Sequence, residues 1–103
     1  MPWIKACDLK SLSSGEIIEF NYEEKKILLV KIGNQIYASD RICTHADADL
    51  SLGILNEQEK TVTCPLHMSA FKLETGKPEN LPAEIPIGIY QTKISNGSVF
   101  LLV

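Results

Sequence analysis

The stretch CTHADADLSLGILNEQEKTVTCPLH, residues 43–67, decides how the rest of the chain is read. It opens on Cys43-Thr44-His45 and closes on Cys64-Pro65-Leu66-His67, with 18 residues between His45 and Cys64. The chain has two histidines and three cysteines, and this one segment takes both histidines and two of the cysteines. Each clasp therefore offers one thiolate and one imidazole. Free cysteine is often just a small buried hydrophobe, but packing alone gives no reason to set each cysteine beside a histidine. Two ligand chemistries fit a set of two Cys and two His. Structural zinc is one, yet zinc sites usually pair Cys with Cys and His with His, as C-x₂₋₄-C followed by H-x₃₋₅-H. Here both clasps are mixed and the first has C-x-H spacing, which favours the other chemistry: a [2Fe–2S] cluster with two Cys on one iron and two His on the other. Mixed ligation raises the potential above that of an all-cysteine cluster, so the expected function is one-electron transfer.

Outward from the clasps, the pattern is one of short strands. Thr61–Thr63 leads into the second clasp, and Ser69–Leu73 leaves it towards a Thr75-Gly76 turn. Upstream, Glu16–Phe20 and Lys26–Ile32 are rich in Ile, Leu and Val, and Gly33-Asn34 turns the chain into Gln35–Ser39. Downstream, Gln91–Ile94 and Ser98–Val103 flank Ser95-Asn96-Gly97, whose Asn-Gly pair is a strong short-range hairpin signal. Asp8–Ser13 makes at most one short helical turn, and no sustained 3.6-residue period is present. The expected fold is all-β, a small antiparallel sandwich or barrel. In such a fold the clasps sit at the ends of two hairpins that meet at one tip.

Composition narrows the function further. A chain of 103 residues is one domain, too short to hold a separate substrate domain. A net charge of −3 argues against nucleic acid as a partner. The longest apolar runs, Ile27–Val30 and Val99–Val103, fall far short of a membrane span. Residues 1–5 contain no apolar signal-peptide core, so a cytoplasmic protein is expected. Cys7, the odd third cysteine, is expected to be a buried core thiol in a reducing compartment. No paired catalytic carboxylates, Ser/His/Asp set or phosphate loop accompanies the clasps, so the chain is not expected to be an enzyme by itself.

These residues, taken with their flanks, resemble the Rieske iron–sulfur proteins and, among them, the soluble Rieske-type ferredoxins. Gly33-Asn34-Gln35-Ile36-Tyr37-Ala38, then Asp40 and Cys43-Thr44-His45, is similar to the family's entry into its first ligand loop. Leu50-Ser51-Leu52-Gly53 resembles its L-S-x-G stretch, and Cys64 through Phe71 to Thr75-Gly76, then Pro82-Ala83, resembles the second loop and the proline-bearing loop behind it. The resemblance spans almost the whole chain. It implies a single domain over 1–103: a β base with an inserted cluster-binding subdomain at roughly residues 41 to 83. Cys43 and Cys64 would hold the inner iron, while His45 and His67 would hold the outer one that accepts the electron. Electron and proton uptake would be coupled through the imidazoles, so that the potential falls as pH rises. The partners implied are a flavoprotein reductase and a terminal oxygenase or similar acceptor. The alternative is a small subunit held permanently in a larger redox enzyme such as a nitrite reductase.

Several positions depart from the family pattern. The spacer between the clasps is slightly long around Asn56 to Lys60, a polar stretch read as an enlarged hairpin tip. Met68 stands where most relatives have Gly, and a position requiring positive φ would penalise Met. Ala48 and Leu66 occupy the places of the extra cysteines of respiratory and photosynthetic members, so their disulfide is not expected. Ser69 falls where high-potential relatives hydrogen-bond a cluster sulfur, but Phe71 replaces a second donor, a tyrosine. With one donor kept and one missing, the potential is expected inside the Rieske range of about −150 to +300 mV, above its bottom and short of its top. Leu50, Leu66, Met68 and Pro82 are expected to form an apolar collar around the cluster. Asp40, Asp47 and Asp49 are read chiefly as turn formers and caps.

Overall fold

The computed structural model describes residues 2–44, 47–66 and 68–103. Among the described residues nine strands follow in order: β1 (Trp3–Asp8), β2 (Ile17–Tyr22), β3 (Lys25–Ile32), β4 (Gln35–Asp40), β5 (Ile54–Asn56), β6 (Thr61–Thr63), β7 (Ala70–Lys72), β8 (Ile89–Ser95) and β9 (Ser98–Leu102). They form a six-stranded antiparallel sheet, β1-β9-β8-β4-β3-β2, and a three-stranded sheet, β5-β6-β7. Among the described residues no helix is long and apolar enough to cross a membrane.

The centre of the molecule is set by Ile27-Leu28-Leu29-Val30 on β3, all four fully buried. A continuous apolar run of this length is the signature of a strand covered on both faces. Side chains alternate across a strand, and the run divides accordingly. Leu28 and Val30 pack into one core with Cys43, Cys64, Leu50, Val62 and Phe71. Ile27 and Leu29 pack into a second core with Leu12, Ile36, Val99 and Leu101. β3 is thus a shared wall between the cluster-loop side and the β8–β9 side.

The hairpins follow their turn chemistry. Asn96 (φ 51°) and Gly97 (φ 74°) are both left-handed, the geometry of a type I′ turn, and they set the β8–β9 register at Ser95↔Ser98. The polar stretch after Asn56 is the connector of the β5–β6 hairpin, as its composition predicts. The expected helical turn is a 3-10 turn at Leu9–Ser11.

One strand escapes the alternation pattern. β1 pairs with β9, but its register shifts between Lys5 and Cys7, and this bulge breaks the period-2 signal. Cys7 lies at the bulge, half-buried against the second core rather than fully inside it. Burial, then the Asp8 carboxylate, pushes its thiol pKa up, which disfavours the thiolate.

Candidate metal centre

Both clasps are built to one plan. In the first, the ends of the loop pair through Leu50 N–H to the Arg41 carbonyl (2.7 Å) and the Ile42↔Asp49 bridge. The ribbon closes where Cys43 N–H donates to the Ala48 carbonyl (2.8 Å) and Asp47 N–H returns to the Cys43 carbonyl (3.2 Å). In the second, β6 and β7 pair as far as Thr63↔Ala70. Cys64 N–H then donates to the Ser69 carbonyl (2.8 Å), and Met68 N–H donates to the Cys64 carbonyl (3.0 Å). In each loop the residue four after the cysteine is left-handed, Asp47 at φ 52° and Met68 at φ 61°. The cysteine is therefore the last rung of each ribbon. The four-residue tips beyond it carry the histidines in sequence; His45 and His67 themselves lie outside the described residues.

Cys43 and Cys64 are fully buried in the same apolar core, with Leu50, Phe71, Ala83 and Ile87. A third segment, between β7 and β8, is pinned across both loops. The Thr44 hydroxyl donates to the Ile85 carbonyl (2.7 Å) from the first loop. From the second, the Ser69 hydroxyl accepts Ala83 N–H (3.0 Å), and the Asn80 amide donates to the Met68 carbonyl (3.0 Å). Asp40 ties the end of this segment to β4 by accepting from Gly88 N–H (3.1 Å) and the Tyr90 hydroxyl (2.7 Å). Burial first, then the bond to Asp40, drives the Tyr90 pKa upward, so the phenol stays a donor.

The residues anticipated around the site divide as follows. Ser69 does not face solvent: it is fully buried, and its oxygen already accepts from Ala83, which aims its proton elsewhere. Phe71 is a core residue behind the cysteines. Leu66 (62% exposed), Met68 (53%) and Pro82 lie open on the surface beside the loops. Leu50 corrects the expected collar, because it is fully buried and leaves the outer surface to the other three. Asp49 caps the 3-10 turn Leu50–Leu52 by accepting Ser51 N–H (2.9 Å), and that cap turns Leu50 inward. Asp40 and Asp49 are structural, as the turn reading holds, and Asp47 supplies the left-handed corner.

Thr44 and Asn80 are clamps that sequence reasoning did not single out. Thr44 lies inside the Cys-Thr-His clasp, which was the available signal; Asn80 carries none. Arg41, the chain's only arginine, was also passed over.

Met68 is one of several non-glycine residues with left-handed φ. A non-glycine residue at left-handed φ costs roughly 1–2 kcal/mol, partly offset by the extra unfolded-state freedom of glycine, about 0.5–1 kcal/mol. Its side chain is half-exposed and loses little packing when removed. Met68→Gly is therefore expected to raise stability by up to about 1 kcal/mol, read as an upward shift in Tm of the loaded protein; a lower Tm would contradict it.

This arrangement fits an iron–sulfur cluster. Two buried thiol groups end two ribbons of one plan, an apolar shell keeps water away, and a buried hydroxyl at Ser69 has a proton to give. Known proteins agree. Residues 2–91 match the family described as Rieske [2Fe-2S] domain. The ferredoxin component of the naphthalene 1,2-dioxygenase system of Pseudomonas putida is 35% identical, covering 96% of this chain and 93% of that protein. The ferredoxin of carbazole 1,9a-dioxygenase from Nocardioides aromaticivorans IC177 superposes with a TM-score of 0.93 at 26% identity, covering 98% of this chain and 97% of that one. A chain from the complex of reduced oxygenase and oxidized ferredoxin in carbazole 1,9a-dioxygenase gives a TM-score of 0.89 at 31% identity, covering 96% and 91%.

Proposed function

The chain belongs to the Rieske [2Fe–2S] domain family, and we propose that Cys43, His45, Cys64 and His67 bind its cluster in a soluble, cytoplasmic one-electron carrier of an oxygenase system. Electrons come from a flavoprotein reductase and leave to a terminal oxygenase; one relative is named as the ferredoxin component of a dioxygenase system and another as a ferredoxin in complex with an oxygenase. The chain carries a Rieske-type [2Fe–2S] cluster and is not itself an enzyme. The observation that supports this ligand assignment most is the duplicated ribbon, each copy ending on a buried cysteine with a histidine in its tip.

When bound, the cluster supplies a single electron-accepting level. The protein sets the conditions around it. Cys43 and Cys64, buried in the core, hold the inner side away from water. Burial keeps the site dry and its electrostatics strong. The Ser69 hydroxyl, whose oxygen accepts from Ala83 N–H, would donate its proton to a cluster sulfur and so favour the more negative, reduced state. Residues 41–83 act as the cluster-binding unit, and Thr44, Ser69 and Asn80 tie the third segment to the two ligand loops. Leu66, Met68 and Pro82 form the exposed apolar surface against which a redox partner docks.

The test is iron and acid-labile sulfide content of the purified protein, with EPR after dithionite reduction. Two irons and two sulfides per chain, with the low average g of His-ligated [2Fe–2S], are expected. A colourless protein holding zinc would overturn the proposal, and a large subunit that always co-purifies would replace shuttling by internal transfer.

A further inference from the structure

The first ligand loop rests on a charged ring that plays no part in cluster ligation. Arg41 follows β4 and is buried, its side chain 7% exposed. Its Nη1 lies 3.4 Å from Oε2 of Glu19 on β2, and its Nε lies 3.4 Å from Oδ2 of Asp49. The Ser51 hydroxyl closes the ring, 3.0 Å from Glu19 Oε1 and 2.6 Å from Asp49 Oδ1. Neither Nε nor Nη1 reaches hydrogen-bond geometry with a described residue, so the guanidinium is held by charge. A buried cation is costly unless it is compensated. Here the compensation comes from two different parts of the fold, the base sheet through Glu19 and the return arm of the ligand loop through Asp49. The main chain of Arg41 is tied in the same way, with its N–H on the Lys26 carbonyl (3.0 Å) and its carbonyl accepting from Leu50 (2.7 Å).

Position makes this ring matter to the cluster. Burial alternates along Arg41-Ile42-Cys43, with the outer two buried and Ile42 half-buried. This is the strand pattern that sends residues i and i+2 to one face. Two residues of extended chain span about 7 Å, inside the Debye length of about 8–10 Å and in an interior that screens less than water. A cluster with both irons ferric, two sulfides and two thiolates is formally neutral, and it gains one negative charge on reduction. A fixed buried cation on that face favours the reduced state.

We propose that Arg41 is the positioning and potential-setting residue of the first ligand loop: its guanidinium, clamped between Glu19 and Asp49, fixes the Cys43 arm on the base sheet and raises the cluster's reduction potential. This rests on the assignment of Cys43 and His45 as ligands. Removing the cation leaves two carboxylates beside the loop and lowers the potential, whereas removing the Glu19 charge raises it. Arg41→Lys keeps the charge but cannot bridge two carboxylates with a planar fork, so it separates charge from geometry.

The experiment is a redox titration of the loaded full chain, monitored by the EPR signal of the reduced cluster. Arg41→Gln is expected to shift electron exchange with a dye about tenfold toward the oxidised cluster, which is about 59 mV for one electron. Glu19→Gln is expected to shift it a few-fold the opposite way, and Arg41→Lys to hold the potential while losing thermal stability. If Arg41→Gln fails to fold, Glu19→Gln alone carries the test, because it removes only a half-exposed charge. An intact cluster whose potential ignores both charge changes, or moves the same way in both, overturns the inference alone. A wild-type protein without iron and labile sulfide overturns the carrier reading beneath it.

Discussion

Cys64→Ala will purify without the brown colour of a [2Fe–2S] protein, without labile sulfide and without a reduced-state EPR signal. Cys43→Ala will behave the same way, while Cys7→Ala will keep all three. The contrast separates ligand loss from general damage. Cys7 sits on β1 against the second core, whereas Cys43 and Cys64 close the two ribbons within the first. The loss will reach stability as well, because metal binding and folding are coupled. A cluster bridging Cys43 and Cys64 closes a loop of about 20 residues, and chain-entropy arguments give such a cross-link about 3 kcal/mol. For a domain of about 100 residues each kcal/mol moves Tm by roughly 4–8 °C. The two ligand variants should therefore unfold more than about 10 °C below the loaded wild type. Colour retained in Cys64→Ala would refute the ligand assignment outright.

The parts of the site legible in the sequence are those whose cause is local. Asn96-Gly97 specifies its turn by the dihedrals the two residues tolerate, and β6 is bounded by Thr61 and Thr63 as expected because a short β-branched run admits little else. The suspicion attached to Met68 was also local, and the left-handed φ answers it. What the sequence hides is contact between distant segments. Leu50 and Leu52 look alike in a loop, yet one is fully buried and the other 74% exposed. The difference comes from the Asp49 cap and the tertiary wall of β3. The Thr44 hydroxyl meets a carbonyl 41 residues away, and Arg41 meets Glu19 across strands. No periodicity encodes either. β1 was missed for a local reason of the opposite kind, since its bulge erases the alternation that would have announced it.

Gly76→Ala should be the most damaging single-atom-scale change outside the ligands, because two separate costs meet there. Gly76 is left-handed at φ +80°, a conformation that costs an alanine roughly 1–2 kcal/mol. A Cβ at this position would also fall within contact distance of the Ile87 carbonyl oxygen, which is backbone and cannot rotate away. Overpacking of that kind typically adds about 1–3 kcal/mol. Gly53→Ala isolates the second cost. Its φ of −87° suits any residue, but its Cβ would run into the Thr63 carbonyl, on the strand that delivers Cys64. Gly76→Ala is therefore expected to lower Tm by at least about 10 °C, and Gly53→Ala by less. The functional consequence follows from what Gly76 holds. Its carbonyl accepts Ile87 N–H (2.9 Å), and Ile87 and Ala83 are the buried side chains with which the third segment seals the cysteines. Loosening that seal lets water and chelators in. Amide exchange at Ile87 and Ala83 should accelerate in Gly76→Ala, and iron should leave to a chelator faster than from wild type under native conditions. A Gly76→Ala protein with unchanged Tm and unchanged iron retention would show that this turn does not hold the cover in place.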